Sequence, residues 1–189
     1  VWIKYKDNKK TGKWIYTSNH EMVGKEENYS NGELNGNYKE WHPDGKEWKI
    51  GKYKDGELNG DYIEYHKNGI PYLTGVYING KMNRQWVYCF EDGKTWQSGF
   101  YKDDKKIDKW NYWHDNGKRA LEENYKNGKK DGVWTTWFEM EYCFSTCEAA
   151  IYEGKNIALT QEAYSSDVYQ KKSETNYKNG EKNGVEIEW

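Results

Sequence analysis

The sequence predicts an all-β protein, an elongated antiparallel array of β-hairpin repeats. Three observations predict this fold. A tyrosine-led motif recurs every 24 residues, turn-forming Asn-Gly and Asp-Gly pairs recur at fixed places in each unit, and the segments between them have strand length and alternation. A fixed period of this size is typical of repeat proteins, in which each unit is stabilised by packing on its neighbours.

The repeated motif is clearest in YKNGKKDGVW at 125–134 and YKNGEKNGVE at 177–186. Its leading tyrosine recurs at a spacing of 24 up to Tyr125 and then at steps of 27 and 25 to Tyr152 and Tyr177. We predict a single repeat array over residues 1–189, with about eight units of which one is degenerate. The units start near residues 5, 29, 53, 77, 101, 125, 152 and 177, and the irregular unit covers 138–176.

Residues 53–76, YKDGELNGDYIEYHKNGIPYLTGV, show the plan of one unit. Asp55-Gly56 and Asn59-Gly60 bracket a polar connection, and Asn68-Gly69 marks a second turn, because these pairs supply the positive φ that tight turns need. The intervening DYIEYH and IPYLTGVY are long enough to be strands. Each unit is therefore expected to be a hairpin, and the array an antiparallel meander.

Alternation within the first strands predicts aromatic side chains on both faces of the sheet. One row contains Trp14, Tyr38, Tyr62, Trp86, Trp110 and Trp134. The opposite row contains Trp41, Tyr65, Trp113, Trp137 and Trp189, together with Ile15, Ile63, Val87 and Ile187. Aliphatic residues are scarce, so 11 Trp and 18 Tyr must supply most of the burial. Either the sheet curls so that one row forms a narrow core, or one row is left for a partner.

Composition and motifs argue against several functional classes. A net charge of -2 with interspersed signs is unlike a nucleic-acid-binding protein, and no apolar run reaches the roughly 18 residues of a membrane span. His42, His66 and His114 occupy the same position in their units, about 10 Å apart if stacked two strands apart, too far to share a metal. No catalytic motif is present. We expect no enzyme activity, catalytic residue, cofactor or metal.

The pattern Y-x-N-G-x-x-N-G-x-W-x-x-W-x-x-x-G-K, as in YKNGKKDGVWTTW and YKDDKKIDKWNYWHDNGK, resembles the bacterial variant of the MORN repeat. This variant is found in proteins often labelled as YwqK-family antitoxins. The resemblance covers nearly the whole chain and implies an elongated hairpin array with a non-catalytic, interaction-type role. Residues 138–176 depart from the pattern, because they lack the second glycine and the tryptophan.

We therefore expect a protein–protein interaction scaffold or an accessory subunit of a larger assembly. The candidate partner-binding residues are Trp48, Trp96, Trp110, Trp134, Phe144, Tyr164 and Tyr169. Trp48 and Trp96 share one position in second strands, and the last three residues lie in the irregular unit, which is either a specific contact or a tolerated insertion. The alternatives are glycan or cell-wall binding through the aromatic rows and antitoxin-type binding of a toxin.

The two ends of the array and the cysteines suggest further contacts. Val1–Tyr5 and Val185–Trp189 are strand-like and could add a strand from a partner, unless the array continues beyond Val1 or dimerises. Cys89 is expected to be a small buried hydrophobe. Cys143 and Cys147 are either a local disulfide in an exported protein or free thiols in a reducing cytoplasm. The start in mid-unit and this pair favour a bacterial cell-envelope location.

Overall fold

A computed structural model describes residues 4–17, 23–138, 151–152, 155–156 and 171–189. The described residues form strands and turns without a helix, in one large antiparallel meander of consecutive hairpins, so the predicted fold class is confirmed. Several of the predicted contact residues lie outside the described residues: Cys143, Phe144, Cys147, Tyr164, Tyr169 and the first three residues of Val1–Tyr5.

The strands of the described residues are given in chain order. They are β1 (Tyr5–Lys6), β2 (Lys9–Lys10), β3 (Gly12–Thr17), β4 (Val23–Ser30), β5 (Glu33–Leu34), β6 (Gly36–Trp41), β7 (Glu47–Lys54), β8 (Glu57–Leu58), β9 (Gly60–Tyr65), β10 (Pro71–Ile78), β11 (Lys81–Cys89), β12 (Thr95–Lys102), β13 (Lys105–Trp113), β14 (Arg119–Lys126), β15 (Lys129–Lys130), β16 (Gly132–Trp137), β17 (Ile151–Tyr152), β18 (Lys155–Asn156), β19 (Lys171–Lys178), β20 (Glu181–Lys182) and β21 (Ile187–Glu188).

The main sheet follows the order of the chain. From β3 to β19, each long strand pairs antiparallel with the next long strand, and β19 pairs with the two-residue strand β21. The two-residue strands β5, β8, β15 and β20 are the beginnings of the strands that follow them. Among the described residues, no register pair joins β3 to β21, and β1–β2 and β17–β18 form separate small hairpins.

The glycine-containing pairs serve two different purposes. Asp55 and Gly56, with φ of 50° and 84°, form the tight turn between β7 and β8, as predicted. Asn59-Gly60 does not form a turn, because β8 and β9 both pair with β7 and the chain continues in the same direction. Gly60, with a φ of 119°, begins β9 at a kink. The expected bracketed connection is thus one turn followed by a bulge-like kink in the strand.

Hydrogen bonds between successive units hold the turns in a row. The amide of Gly56 donates to the carbonyl of Leu34 at 2.9 Å, and the amide of Gly80 donates to that of Leu58 at 2.8 Å. At the other end of the strands, His66 Nε2 lies 2.9 Å from the carbonyl oxygen of Cys89. Each unit therefore satisfies polar backbone groups of its neighbour as well as its own.

The unit led by Tyr177 stacks directly on the unit led by Tyr125. Gly132 pairs with Tyr177 in the β16–β19 register, just as Gly36 pairs with Tyr53 in the β6–β7 register. The amide of Gly180 also donates to the carbonyl of Lys130 at 2.8 Å, which repeats the contact between turns described above. Two strands that are neighbours in the sheet are thus separated in sequence by the whole segment 138–170.

The first aromatic row forms the core. Trp86 and Trp110 are 1% and 0% exposed, and Trp14 and Tyr62 are also buried. Each Trp packs against tyrosines at the ends of second strands, as in the T-shaped contact of Tyr77 with Trp86 at 5.1 Å. We call this side the core face and the opposite side the open face. Of the two aromatic rows, the row of Trp14, Tyr62, Trp86 and Trp110 is therefore the one that the sheet buries.

Candidate functional site: the open face of the sheet

On the open face, one side chain from each long strand is paired directly with one side chain from the next strand across the sheet. Thirteen residues are joined in sequence by direct cross-strand register pairs, and we call them the open-face ladder. They are Ile15, Glu26, Lys39, Ile50, Ile63, Thr74, Val87, Ser98, Asn111, Glu122, Thr135, Glu174 and Ile187. Directly opposed side chains on one face lie close together. Thr135 is buried, at 5% exposure, whereas the other members are partly or fully exposed.

Charge is confined to the flanks of this ladder over its first ten members. Lys13 Nζ lies 2.7 Å from a carboxylate oxygen of Glu26, and Lys109 Nζ lies 2.7 Å from one of Glu122. The six ladder residues from Ile50 to Asn111 are uncharged. The middle of the open face therefore has no charge along the ladder, while both of its borders carry ion pairs.

Apolar neighbours widen the uncharged middle. Val76 and Phe100 lie on the same face as the ladder, and Phe100 is 42% exposed. Together with Ile50, Ile63 and Val87 they form what we call the central patch. Two shallow depressions overlap it. One, of about 190 Å³, is lined by Ile50 and Ile63 together with Lys39, Lys52 and Asp61, and the other, of about 610 Å³, is lined by Val87 and Trp113 together with Lys94.

Sequence reasoning found part of this surface. Strand alternation places Ile63 and Val87 opposite the core row, together with Trp113. Ile50, Thr74 and Ser98 were missed, because their alignment with the first strands depends on the register between strands. The signal that could have revealed them is their shared spacing of 24, which the second strands inherit from the repeat.

Trp48 and Trp96 lie at the start of β7 and β12. Trp48 is 38% exposed, stacks on the imidazole of His42 at 5.5 Å, and has Lys49 Nζ 4.2 Å from its ring centroid. Trp96 is half-buried against Tyr88, with ring centroids 5.8 Å apart. Trp48 is accessible to a ligand, whereas most of Trp96 serves packing.

Trp110 is not accessible as a partner-binding residue. It is fully buried, and its Nε1 donates to the carbonyl of Phe100 at 3.2 Å, so a partner has no access to it. Trp134 is half-buried in the same row; its Nε1 donates to the carbonyl of Asn124 at 3.0 Å and Lys130 Nζ lies 3.7 Å from its ring. Both lie on the core face. The sequence made them candidates because alternation alone could not show which aromatic row the sheet would bury.

Two buried carboxylates interrupt the aromatic core. Glu123 is 7% exposed; it accepts a hydrogen bond from the Tyr125 hydroxyl at 2.9 Å and lies 3.8 Å from Lys106 Nζ. Lys106 in turn lies over the Trp110 ring at 4.2 Å. Burial lowers the pKa of the Lys106 ammonium, although Glu123 acts in the opposite direction. This cluster is internal, so it belongs to the stability of the sheet.

Glu27 occupies the equivalent place four units earlier and is 5% exposed. Burial alone would raise its pKa, but hydrogen bonds from the Lys25 ammonium and the Tyr29 hydroxyl outweigh burial and hold the pKa below its ordinary value. Glu27 is therefore a buried anion in the folded protein at neutral pH.

The histidines of the turns make structural contacts. His42 Nε2 lies 3.2 Å from the carbonyl oxygen of Tyr65, matching the contact of His66 with Cys89 in the next unit. Within the described ranges, no group of three or more His, Cys, Asp or Glu residues is arranged to hold a metal ion. The same part of the chain contains no helix of the length and hydropathy that a membrane crossing requires.

No protein-family model matches this sequence, and no curated protein is detectably similar to it. The class of protein defined by the fold is a β-hairpin repeat protein with one self-packed face and one open face. Its function is argued below from these two surfaces.

Proposed function

We propose that this chain is a non-catalytic repeat scaffold that binds another protein through its open face. The observation that carries the proposal is the central patch, an apolar and partly exposed surface. Lys39, Lys52 and Asp61 lie beside it, and the ion pairs of Glu26 and Glu122 lie further out. Protein interfaces commonly have this anatomy, with charged residues depleted in the middle and enriched at the rim.

The core face supports the same assignment by exclusion. Its tryptophans are buried against tyrosines and lysines of the same sheet, so little of that row remains for a ligand. The resemblance of the repeat to the MORN variant, with its interaction-type role, agrees with a binding surface on the other side. Antitoxin-type binding of a toxin would be one instance of this function.

The test compares capture by the wild type with capture by two matched variants. Ile63→Lys places a charge in the central patch, whereas Trp48→Lys places one at an exposed aromatic residue outside that patch. A protein captured from the native host is purified, and its affinity for each variant is measured by calorimetry. We expect Ile63→Lys to weaken binding at least about tenfold and Trp48→Lys to leave it unchanged. Equal affinity for the wild type and Ile63→Lys would contradict the proposal.

Glycan binding is a second candidate, favoured by the exposed ring of Trp48. A glycan-binding sheet should be retarded by a polysaccharide in native gel electrophoresis, and Trp48→Ala or Trp96→Ala should abolish that retardation. Retardation that persists in both variants would remove this candidate, as would its absence from the wild type.

Strand addition at Val185–Trp189 is a further proposed route to a protein partner. Val185, Ile187 and Trp189 are 79%, 44% and 56% exposed, and Ile187 pairs with Glu174 of β19. A partner strand could extend the sheet from this strand by backbone hydrogen bonds. The amide of Trp189 donates to the carbonyl of Lys172 in β19 at 3.1 Å, so the amide of the preceding Glu188 faces away from β19. Glu188→Pro removes that outward donor and should weaken such binding, which the same calorimetric assay would measure.

A further inference from the structure

Nine asparagines of this chain are each followed directly by a glycine. In such a pair the backbone nitrogen of glycine can attack the side-chain carbonyl carbon of asparagine, which makes asparagine one of the chemically labile residues of proteins. Glycine favours the attack because it has no side chain to hinder it and few restrictions on its backbone. The nitrogen must be exposed and without a hydrogen-bond acceptor, so the structure decides which pairs react.

Four of these glycines lie in the tight turns, and their nitrogens are engaged. The amide of Gly180 donates to the carbonyl of Lys130 at 2.8 Å. Equivalent hydrogen bonds, of 2.8 or 2.9 Å, are made by the amides of Gly32, Gly80 and Gly128. A nitrogen held in this way can attack only after the turn opens locally, and such opening costs free energy.

Two further glycines lie in the second turn of a unit and are engaged as well. The amide of Gly69 donates to the carbonyl of His66, and that of Gly117 donates to the carbonyl of His114, both at 2.9 Å. The side chain of the asparagine before Gly69 is also held, because its Oδ1 accepts a hydrogen bond from the amide of Ile70 at 2.9 Å. These two pairs are therefore protected in the folded protein.

The remaining three glycines lie at the kink that precedes a first strand. Gly36 and Gly60 begin β6 and β9, where they pair with Tyr53 and Tyr77 of the following strand. Gly184 is the equivalent residue of the last described unit, but it lies outside the strands. Its nitrogen has no hydrogen-bond acceptor among the described residues.

The surroundings of Asn183 and Gly184 are open. Both residues are exposed, and a Cβ built on Gly184 would meet no atom within 4 Å. The amide of Asn183 donates to the carbonyl of Asn176 at 2.8 Å, so the asparagine backbone is anchored while the next peptide nitrogen is not. Of the nine pairs, this one combines an exposed asparagine with an unbonded glycine nitrogen.

We propose that Asn183 is a modification site, at which attack by the Gly184 nitrogen converts the asparagine to aspartate and isoaspartate without an enzyme. The nitrogen forms a bond with Asn183 Cγ, and its proton passes through solvent to the side-chain nitrogen, which leaves as ammonia. Water then opens the resulting cyclic succinimide at either of its two carbonyl–nitrogen bonds. No oxidant or reductant takes part, and the reaction is independent of binding at the open face.

Asn179 provides a matched comparison within the same unit. Asn179 and Asn183 are both exposed and both precede a glycine. The two pairs differ at the attacking nitrogen, because Gly180 donates to Lys130 whereas Gly184 has no acceptor in the described part of the chain. Trypsin cuts after lysine and so releases the two pairs in separate peptides, 179–182 and 183–189.

The experiment follows deamidation of the full folded chain at mildly alkaline pH, where the attacking nitrogen loses its proton more readily. Samples taken over time are digested briefly with trypsin, and the asparagine, aspartate and isoaspartate forms of each peptide are quantified by chromatography and mass spectrometry. We expect Asn183 to react at least about tenfold faster than Asn179 or any other asparagine before a glycine, because the other pairs must first open a hydrogen-bonded segment.

The same measurement in urea separates the effect of structure from that of flanking sequence. Unfolding exposes every glycine nitrogen, so the preference for Asn183 should largely disappear. A smaller ratio in the folded protein, or faster reaction at another pair, overturns the proposal. An equal preference in urea also overturns it, because the folded structure would then play no part.

A variant gives a second readout. Each conversion adds a negative charge, so an acidic form of the folded protein should accumulate on ion-exchange chromatography. Asn183→Gln should largely suppress this form, because glutamine must close a larger ring. The control Asn35→Gln, at the equivalent kink before β6, should accumulate it like the wild type. Unchanged accumulation in Asn183→Gln would exclude Asn183 as the main site.

Discussion

Gly99 lies directly beneath the indole of Trp110. A Cβ built on Gly99 would stand 2.2 Å from Trp110 Cδ2, and the same holds for Gly75 beneath Trp86. The φ of Gly99 is not in the left-handed region, so glycine is required here for space and not for backbone freedom. These glycines let the aromatic ring of the next strand settle onto the backbone, which is why Trp86 and Trp110 are the most deeply buried residues.

Gly99→Ala is expected to lower the free energy of unfolding by about 2 kcal/mol, because the new methyl group must displace the Trp110 ring. Urea unfolding followed by tryptophan fluorescence measures the change. Gly24→Ala is the matched control, since a Cβ on this strand glycine meets its nearest atom, the Tyr16 carbonyl oxygen, at an ordinary 3.8 Å. Equal stability of the two variants would contradict the packing described here.

Lys106 and Glu123 are expected to be energetically coupled. The equivalent positions one unit earlier hold Met82 and Gly99, so the array itself offers an uncharged version of the pair. Lys106→Met should destabilise the sheet by about 1–2 kcal/mol, because Glu123 stays buried without its ammonium. The double variant Lys106→Met/Glu123→Gly should recover most of that loss. A double-mutant cycle with a coupling energy near zero would show that the two side chains act independently.

Acid should destabilise the protein in part through Glu27. Its pKa is held below the ordinary 4.5, so the unfolded chain binds the proton more readily than the folded protein. The contribution is therefore complete above pH 4.5 and is lost as the pH falls through the folded-state value. Midpoints of urea unfolding between about pH 6 and 3 should fall less steeply for Glu27→Gln than for the wild type. The control Glu33→Gln, at an exposed turn, should follow the wild type; a Glu27→Gln curve that also does so would contradict the assignment.

Arg84→Gly is expected to stabilise the sheet by about 1 kcal/mol. Arg84 has a φ of 62°, whereas the equivalent position in the preceding unit holds Gly60 with a φ of 119°; the following unit holds Asp108 there, with a φ of 55°. A side chain in the left-handed region carries a steric cost that glycine avoids. Thermal unfolding measures the gain, and the reciprocal Gly60→Arg should lower the midpoint. Loss of stability in Arg84→Gly would mean that the arginine side chain offsets its backbone strain.

Much of the fold could be predicted from residues close together in the chain. Asp55-Gly56 and Asn68-Gly69 require backbone conformations that make turns, and the alternation between them is a property of each strand alone. These signals are local, so the hairpin, its period and the meander were visible in the sequence. The sequence did not show that glycine has two different uses. Gly56 and Gly60 follow similar residues, but Gly56 lies in the turn between two strands and Gly60 lies at a kink within one.

The tertiary structure decided which of the two aromatic rows is buried and which face is left open. Trp110 and Trp113 are three residues apart and equally aromatic, yet Trp110 is fully buried because Gly99 of the preceding strand gives its ring a place to rest. The direct pairing of β16 with β19 depended likewise on register between distant segments. The sequence by itself determined the repeated hairpins, since turn chemistry and alternation act between near neighbours. The core row, the open-face ladder and the candidate site on it arose only when non-adjacent strands met, since burial depends on the side chains that the neighbouring strand supplies.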